Sequence, residues 1–151
     1  MIDYSKPDLT QHPPRSARIR LGGFVILPRM LDKCRAEMAD KIGDYCFDCL
    51  LDRRFLDFVG LTGEAFKAEL GYGRTDAEML KWICDNAQFR RTAWEIAQWS
   101  AFHETWTASS NEMRAHMNEG ISEGGFAHRE DMTYYFEWLD ADDYASFGGP
   151  V

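Results

Sequence analysis

The chain has no apolar run long enough to cross a bilayer. Its longest, Gly22–Pro28, falls far short of the roughly 20 residues that a spanning helix needs. No charged start followed by an apolar stretch and a small-residue cleavage site stands at the N-terminus, so the expected location is the cytoplasm, away from any membrane partner. Cysteine is scarce. The four residues Cys34, Cys46, Cys49 and Cys84, in an unsecreted chain of this size, are expected to be free thiols rather than bridges. Neither a G-x-x-x-x-G-K-[ST] phosphate loop nor a G-x-G-x-x-G fingerprint occurs. Internal repeats and alternating strand and helix patterns are also missing, which excludes a Rossmann or barrel fold. Basic residues thin out towards the C-terminus: from Glu95 onward only Arg114 and Arg129 oppose eleven acids.

What is present is enough for a core. The 151 residues are 45% apolar and 14% aromatic, which argues for one folded domain and against disorder. The net charge of −8 disfavours nucleic acid as a partner. That average hides a split, because residues 1–35 hold seven Lys/Arg against three Asp.

Residues 1–27 read as an extended arm. Pro7, Pro13 and Pro14 deny backbone donors and push their predecessors toward extended geometry. Gly22-Gly23 permits a turn, and Pro28 suits the first turn of a helix. Helical spacing then predicts Pro28–Ile42, Leu50–Val59, a helix capped by Thr62 through Leu70, and one opened by the box Thr75-Asp76-Ala77-Glu78. Its buried stripe is read as Leu80, Ile83, Cys84 and Ala87. A broken helical stretch follows from Phe89 toward Glu119, then a last helix at about Arg129–Leu139. The sum is an all-α, irregular bundle of five to seven helices. The body spans 28–139, and residues 140–151 form an acidic, irregular tail.

Chemistry concentrates in three places. Arg15, Arg18, Arg20 and Arg29 cluster around Gly22-Gly23, and guanidinium forks beside a helix start suit a carboxylate or phosphate. The same arginines can instead pair with the acidic body. Cys46-Phe47-Asp48-Cys49 is a C-x-x-C without the two further ligands a structural zinc needs, and without the strand-to-helix setting of a redox pair. Small hydrophobes is the plainer reading. Cys49 nonetheless precedes a helix start, so it is also a candidate nucleophile with Asp52 as its orienter. His103-Glu104 fails H-E-x-x-H because position 107 is Thr. His103 shares a helical face with Trp99 and Trp106, either as a hydrogen-bonded core residue or as a general base in an aromatic pocket. No metal site and no cofactor is expected.

The segments Asp8-Leu9-Thr10, Pro13-Pro14-Arg15-Ser16, Arg18-x-Arg20-Leu21-Gly22-Gly23 and Leu27-Pro28-Arg29 carry a resemblance. So do Asp32-Lys33-x-Arg35-Ala36, Cys49-x-Leu51-Asp52 running into Phe55-Leu56-Asp57-Phe58, and Asp76-Ala77-Glu78 with Trp82. Over roughly residues 7–90 the chain is similar to a bacterial family catalogued as a domain of unknown function, number 5069. The resemblance implies that the arm is a structural signature of a small, compact bacterial protein, and it implies no activity. Where it leads one to expect proline after Cys49, this chain has Leu50.

Two functions from different classes are consistent with these residues. One is binding of an anionic small molecule, with or without catalysis, by Arg15, Arg18, Arg20 and Arg29 beside Trp99, His103 and Trp106. The other is a non-enzymatic interaction or homo-oligomerisation module whose basic arm pairs with acidic surfaces.

Overall fold

A computed structural model describes residues 1–151. Seven helices carry the chain: α1 (Leu27–Met38), α2 (Leu50–Val59), α3 (Gly63–Leu70), α4 (Asp76–Asn86), α5 (Ala93–Glu104), α6 (Asn111–Glu123) and α7 (Tyr135–Ser146). The architecture is all-α, and none of the helices is long and apolar enough to cross a membrane.

The capping chemistry explains where most helices begin. Thr62, Thr75 and Thr92 each accept an amide hydrogen bond three residues on, at Ala65, Glu78 and Glu95. Gly60 closes α2 at φ 70°, a left-handed conformation that glycine adopts without a Cβ penalty. Helix α1 stops at Met38 rather than Ile42, where Asp40 turns to φ 56°. The stretch from Phe89 divides after Glu104, and Ser110 starts α6 by accepting from the Met113 amide. The last helix lies later than its periodicity predicts. It begins at Tyr135, with the Glu137 carboxylate accepting from the Tyr134 amide at 3.2 Å. The acidic segment at 140–143 is therefore helical and not an irregular tail, and α7 crosses the expected boundary at residue 139. In α4, Cys84 is exposed and Met79 takes its place in the buried stripe.

A single core cluster runs from Ala17 to Trp138. The end of the arm is inside it. Phe24, Val25, Ile26 and Leu27 are fully or nearly fully buried, so this part of the arm is a plug rather than a wrapping. Gly22 and Gly23, at φ 58° and 85°, make the two-residue turn between Leu21 and Phe24, which exchange backbone hydrogen bonds at 3.0 Å. The turn wedges between α4 and α5, since a Cβ on Gly22 would lie 2.5 Å from Leu80 Cδ1. Ser100, fully buried on α5, then fixes it: its hydroxyl donates to the Gly23 carbonyl at 2.6 Å and accepts from the Val25 amide at 3.1 Å. Ile26 enters α1 at φ 73°, a strain of about 1–3 kcal/mol that persists where packing over-determines it.

Candidate functional site

The four N-terminal arginines, three on the arm and Arg29 on α1, do not converge. Each engages a carboxylate of the body. Arg15 forks onto Asp32, with Nε 3.0 Å from Oδ2 and Nη2 2.9 Å from Oδ1, and reaches Asp76 at 2.7 Å. Arg18 meets Asp140 at 3.0 Å, and the Ser16 hydroxyl donates to the same carboxylate at 2.7 Å. Arg20 meets Glu104 at 2.9 Å. Arg29, almost fully buried, holds Asp143 with two hydrogen bonds of 2.7 and 3.0 Å. The acidic end of α7 thus docks on the chain's own arm and first helix.

His103 is fully buried on α5. Its two nitrogens have fixed roles, because a carbonyl can only accept and a guanidinium can only donate. Nδ1 donates to the Trp99 carbonyl at 2.7 Å, and Nε2 accepts from Arg54 Nε at 2.7 Å. Burial lowers its pKa to about 4, so the ring is neutral at pH 7. Trp99 stacks on Phe58 at 4.9 Å, and the Arg54 guanidinium lies 4.3 Å from the Trp106 ring centroid. Of the two readings of His103, its geometry matches the hydrogen-bonded core residue: both ring nitrogens are engaged, bridging α2 and α5.

A cleft of about 280 Å³ opens between α1, the start of α2, and α6–α7, with Arg29, Lys33, Tyr45, Cys46, Cys49 and Trp138 among its walls. Two buried ion pairs back it. Around Asp143, every partner is satisfied: Arg29 binds it twice and the Tyr45 hydroxyl donates at 2.8 Å. Burial and the Asp143 charge push the Tyr45 hydroxyl well above its ordinary range. One turn along α1, Lys33 meets Asp52 at 2.9 Å, with Asp52 fully buried and its Oδ1 without a hydrogen-bond partner. Burial draws both members toward their neutral forms, lowering the Lys33 pKa and raising that of Asp52.

The expectation of four free thiols fails at the mouth of this cleft. Cys46 and Cys49 are joined by a disulfide. Cys46 is exposed and Cys49 half-buried at the N-cap of α2, where the Asp52 carboxylate accepts from the Cys49 amide at 3.4 Å. The bridge forms because Asp48 turns to φ 58°, bringing the two Cα atoms to 6.1 Å. Cys34 stays free and inert: burial pushes its thiol up to about 12.

A wider groove of about 500 Å³ lies on the other side of α1, walled by Arg15, Arg35 and Arg74 against Asp32 and Asp76. Arg35 donates to Asp76 at 2.8 Å and to the Arg74 carbonyl at 3.1 Å. An adjoining hollow shares Ser5, Arg35 and Met38 and adds Lys6. Of the sequence-predicted ligand residues, Arg15 lines this groove and Arg29 the cleft. Arg18 and Arg20 sit on the surface beside α7 and α5.

The family model described as a domain of unknown function (DUF5069) matches residues 11–145. The chain belongs to this family. The match extends through α5, α6 and most of α7, well past the segments that carry the resemblance at residues 7–90. No curated protein matches the chain.

In this DUF5069 member, sequence reasoning missed Lys33, Arg35, Arg74, Asp76 and Asp143. Their partners lie on other elements, between 19 and 114 residues away in the ion pairs of Lys33 and Arg29. Arg35 and Lys33 had a local signal, being charges on the buried side of an apolar helical stripe. Asp143 had none.

Proposed function

We propose that this is a cytoplasmic bacterial protein that binds a small anionic molecule in the groove walled by Arg15, Arg35 and Arg74. The observation that carries the reading is the charge of that wall: three guanidinium groups, with Lys6 in the adjoining hollow, against the lining carboxylates Asp32 and Asp76. Arg74 is the least committed of the three. Its Nε donates to Glu69 at 2.8 Å, while its guanidinium lies over the Tyr72 ring and its side chain is 43% exposed. Arg15 and Arg35, held rigid by Asp76, would supply pre-placed forks for a carboxylate or phosphate. Helix α4 begins at the same place and adds the positive end of its dipole.

Thermal denaturation in the presence of inorganic phosphate, citrate and a nucleoside monophosphate tests the reading. At a hundredfold excess over Kd, one of them is expected to stabilise the fold by about 2.7 kcal/mol. The shift should vanish in Arg74→Gln and survive in Arg20→Ala, which lies outside the groove. No shift with any of the three overturns the proposal.

A second reading rests on α5. Trp94 is 62% and Phe102 56% exposed there, beside Phe89 at 44%, and uncovered aromatics of this size mark contact surfaces. An interaction or homo-oligomerisation module would use this face, since the arm arginines are occupied by the chain's own acids. A monomer by light scattering at high concentration would count against self-association.

A further inference from the structure

We propose that Cys46 and Cys49 are a thiol–disulfide exchange pair acting on a low-molecular-weight thiol seated in the adjoining cleft. Four observations meet at this point. The two sulfurs are bonded across two intervening residues, with Cys46 exposed. Cys49 stands at the N-cap of α2, a helix of ten residues, where free backbone amides favour a thiolate. Behind it lies Asp52, fully buried, its Oδ2 on the Cys49 amide and on Lys33, and its Oδ1 unpartnered. Beside the bridge runs a cleft of about 280 Å³ with both cysteines in its wall and Leu50, Leu51 and Trp138 as an apolar shelf.

A bridge this short constrains the unfolded chain little, so stabilisation is a weak account of it. A buried carboxyl with a vacant oxygen, held against a lysine, is costly to keep in a fold. It is well placed to control the charge next to a thiol that must gain and lose a proton.

Accessibility and leaving-group quality give the direction of the step. A thiolate RS⁻ attacks the exposed Cys46 sulfur, the Cys46–Cys49 bond breaks, and Cys49 leaves as the thiolate stabilised by the start of α2. A second RS⁻ then attacks the R sulfur of the mixed disulfide and releases the Cys46 thiolate. Two RSH are oxidised to RSSR, the protein disulfide is reduced by two electrons, and the two protons end on Cys46 and Cys49. Asp52 is a positioning residue, holding the Cys49 amide and setting the local charge together with Lys33.

The test uses the full chain carrying Cys84→Ser, which removes the other exposed thiol. The protein is equilibrated in glutathione buffers of graded redox ratio, then alkylated and weighed intact. A reversible two-thiol transition mapping to Cys46 and Cys49 is expected. Cys49→Ser should accumulate a glutathione adduct on Cys46 at least tenfold faster than Cys46→Ser does on Cys49. Asp52→Asn should lower the pH midpoint of Cys49 alkylation in the Cys46→Ser background, because it removes a negative charge and leaves Lys33 unopposed; a purely structural Asp52 would not move it. The proposal is overturned if the pair is insensitive to the buffer ratio, or if both single-cysteine variants form adducts equally slowly while circular dichroism shows them folded.

Discussion

Arg29 and Lys33 stand one turn apart on α1, both buried and both paired to an aspartate, yet they are built differently. Around Asp143 the polar accounting closes, with Arg29 bidentate and Tyr45 donating. Around Asp52 it stays open, with one carboxylate oxygen unpartnered in a fully buried residue. A closed buried network fixes packing. An open one costs stability, and folds retain such costs mainly where chemistry needs them. The difference assigns the first pair to architecture and the second to the cleft.

The comparison breaks most visibly at Arg29. Arg29→Met strands the Asp143 carboxylate in the interior and should cost about 3–5 kcal/mol, read as a lowered midpoint in urea denaturation. A smaller loss than the one caused by Lys33→Met would reverse the ranking of the two pairs.

A third buried titratable group, His103, gives the next effect. Its folded pKa lies near 4, below the unfolded value of 6.5. The unfolded chain therefore binds the extra proton between these limits, so stability is full above pH 6.5 and declines as pH falls toward 4. The loss should approach about 3 kcal/mol. Comparing wild type with His103→Gln by chemical denaturation at pH 7 and pH 4.5 isolates it, and an unchanged pH slope in the variant would rule out His103 as the source.

Replacing both partners sharpens the contrast further. Lys33→Met with Asp52→Leu removes an unsatisfied pair and should be neutral or stabilising by about 1–2 kcal/mol. Arg29→Met with Asp143→Leu orphans the Tyr45 hydroxyl and should remain about 1–3 kcal/mol below wild type. Equal outcomes for the two double variants would erase the distinction. The smallest effect belongs to the exposed pair: Arg18→Ala, which frees Asp140 at the surface, should cost under about 1 kcal/mol and shift the thermal midpoint by only a few degrees.

Much of the fold was legible because its signals are local. Thr62, Thr75 and Gly60 announce the limits of α2, α3 and α4 within four residues of the backbone groups they satisfy. Helix α7 was misplaced for the opposite reason. Tyr134 is not a residue that marks a helix start, and the run Asp140–Asp143 reads either as a solvated end or as a dock for the basic N-terminal segment, with nothing local to match Asp140 to Arg18 or Asp143 to Arg29. At the cleft, Cys49 and Asp52 could be read together because they share one helical turn. The Lys33 that meets them could not, nor could the disulfide, which depends on Asp48 adopting a left-handed backbone. His103 was readable as a hydrogen-bonded residue on an aromatic face, but its second partner was not, because Arg54 comes from α2.

The contact between Arg29 and Asp143 has a consequence in time. The carboxylate that neutralises Arg29 follows it by 114 positions, and the Ser16–Asp140 bond spans 124. During synthesis α1 emerges with a guanidinium that nothing yet translated can take into the interior. Its final seat must wait until α7 has left the ribosome, so the first and last helices lock together late rather than in order of translation.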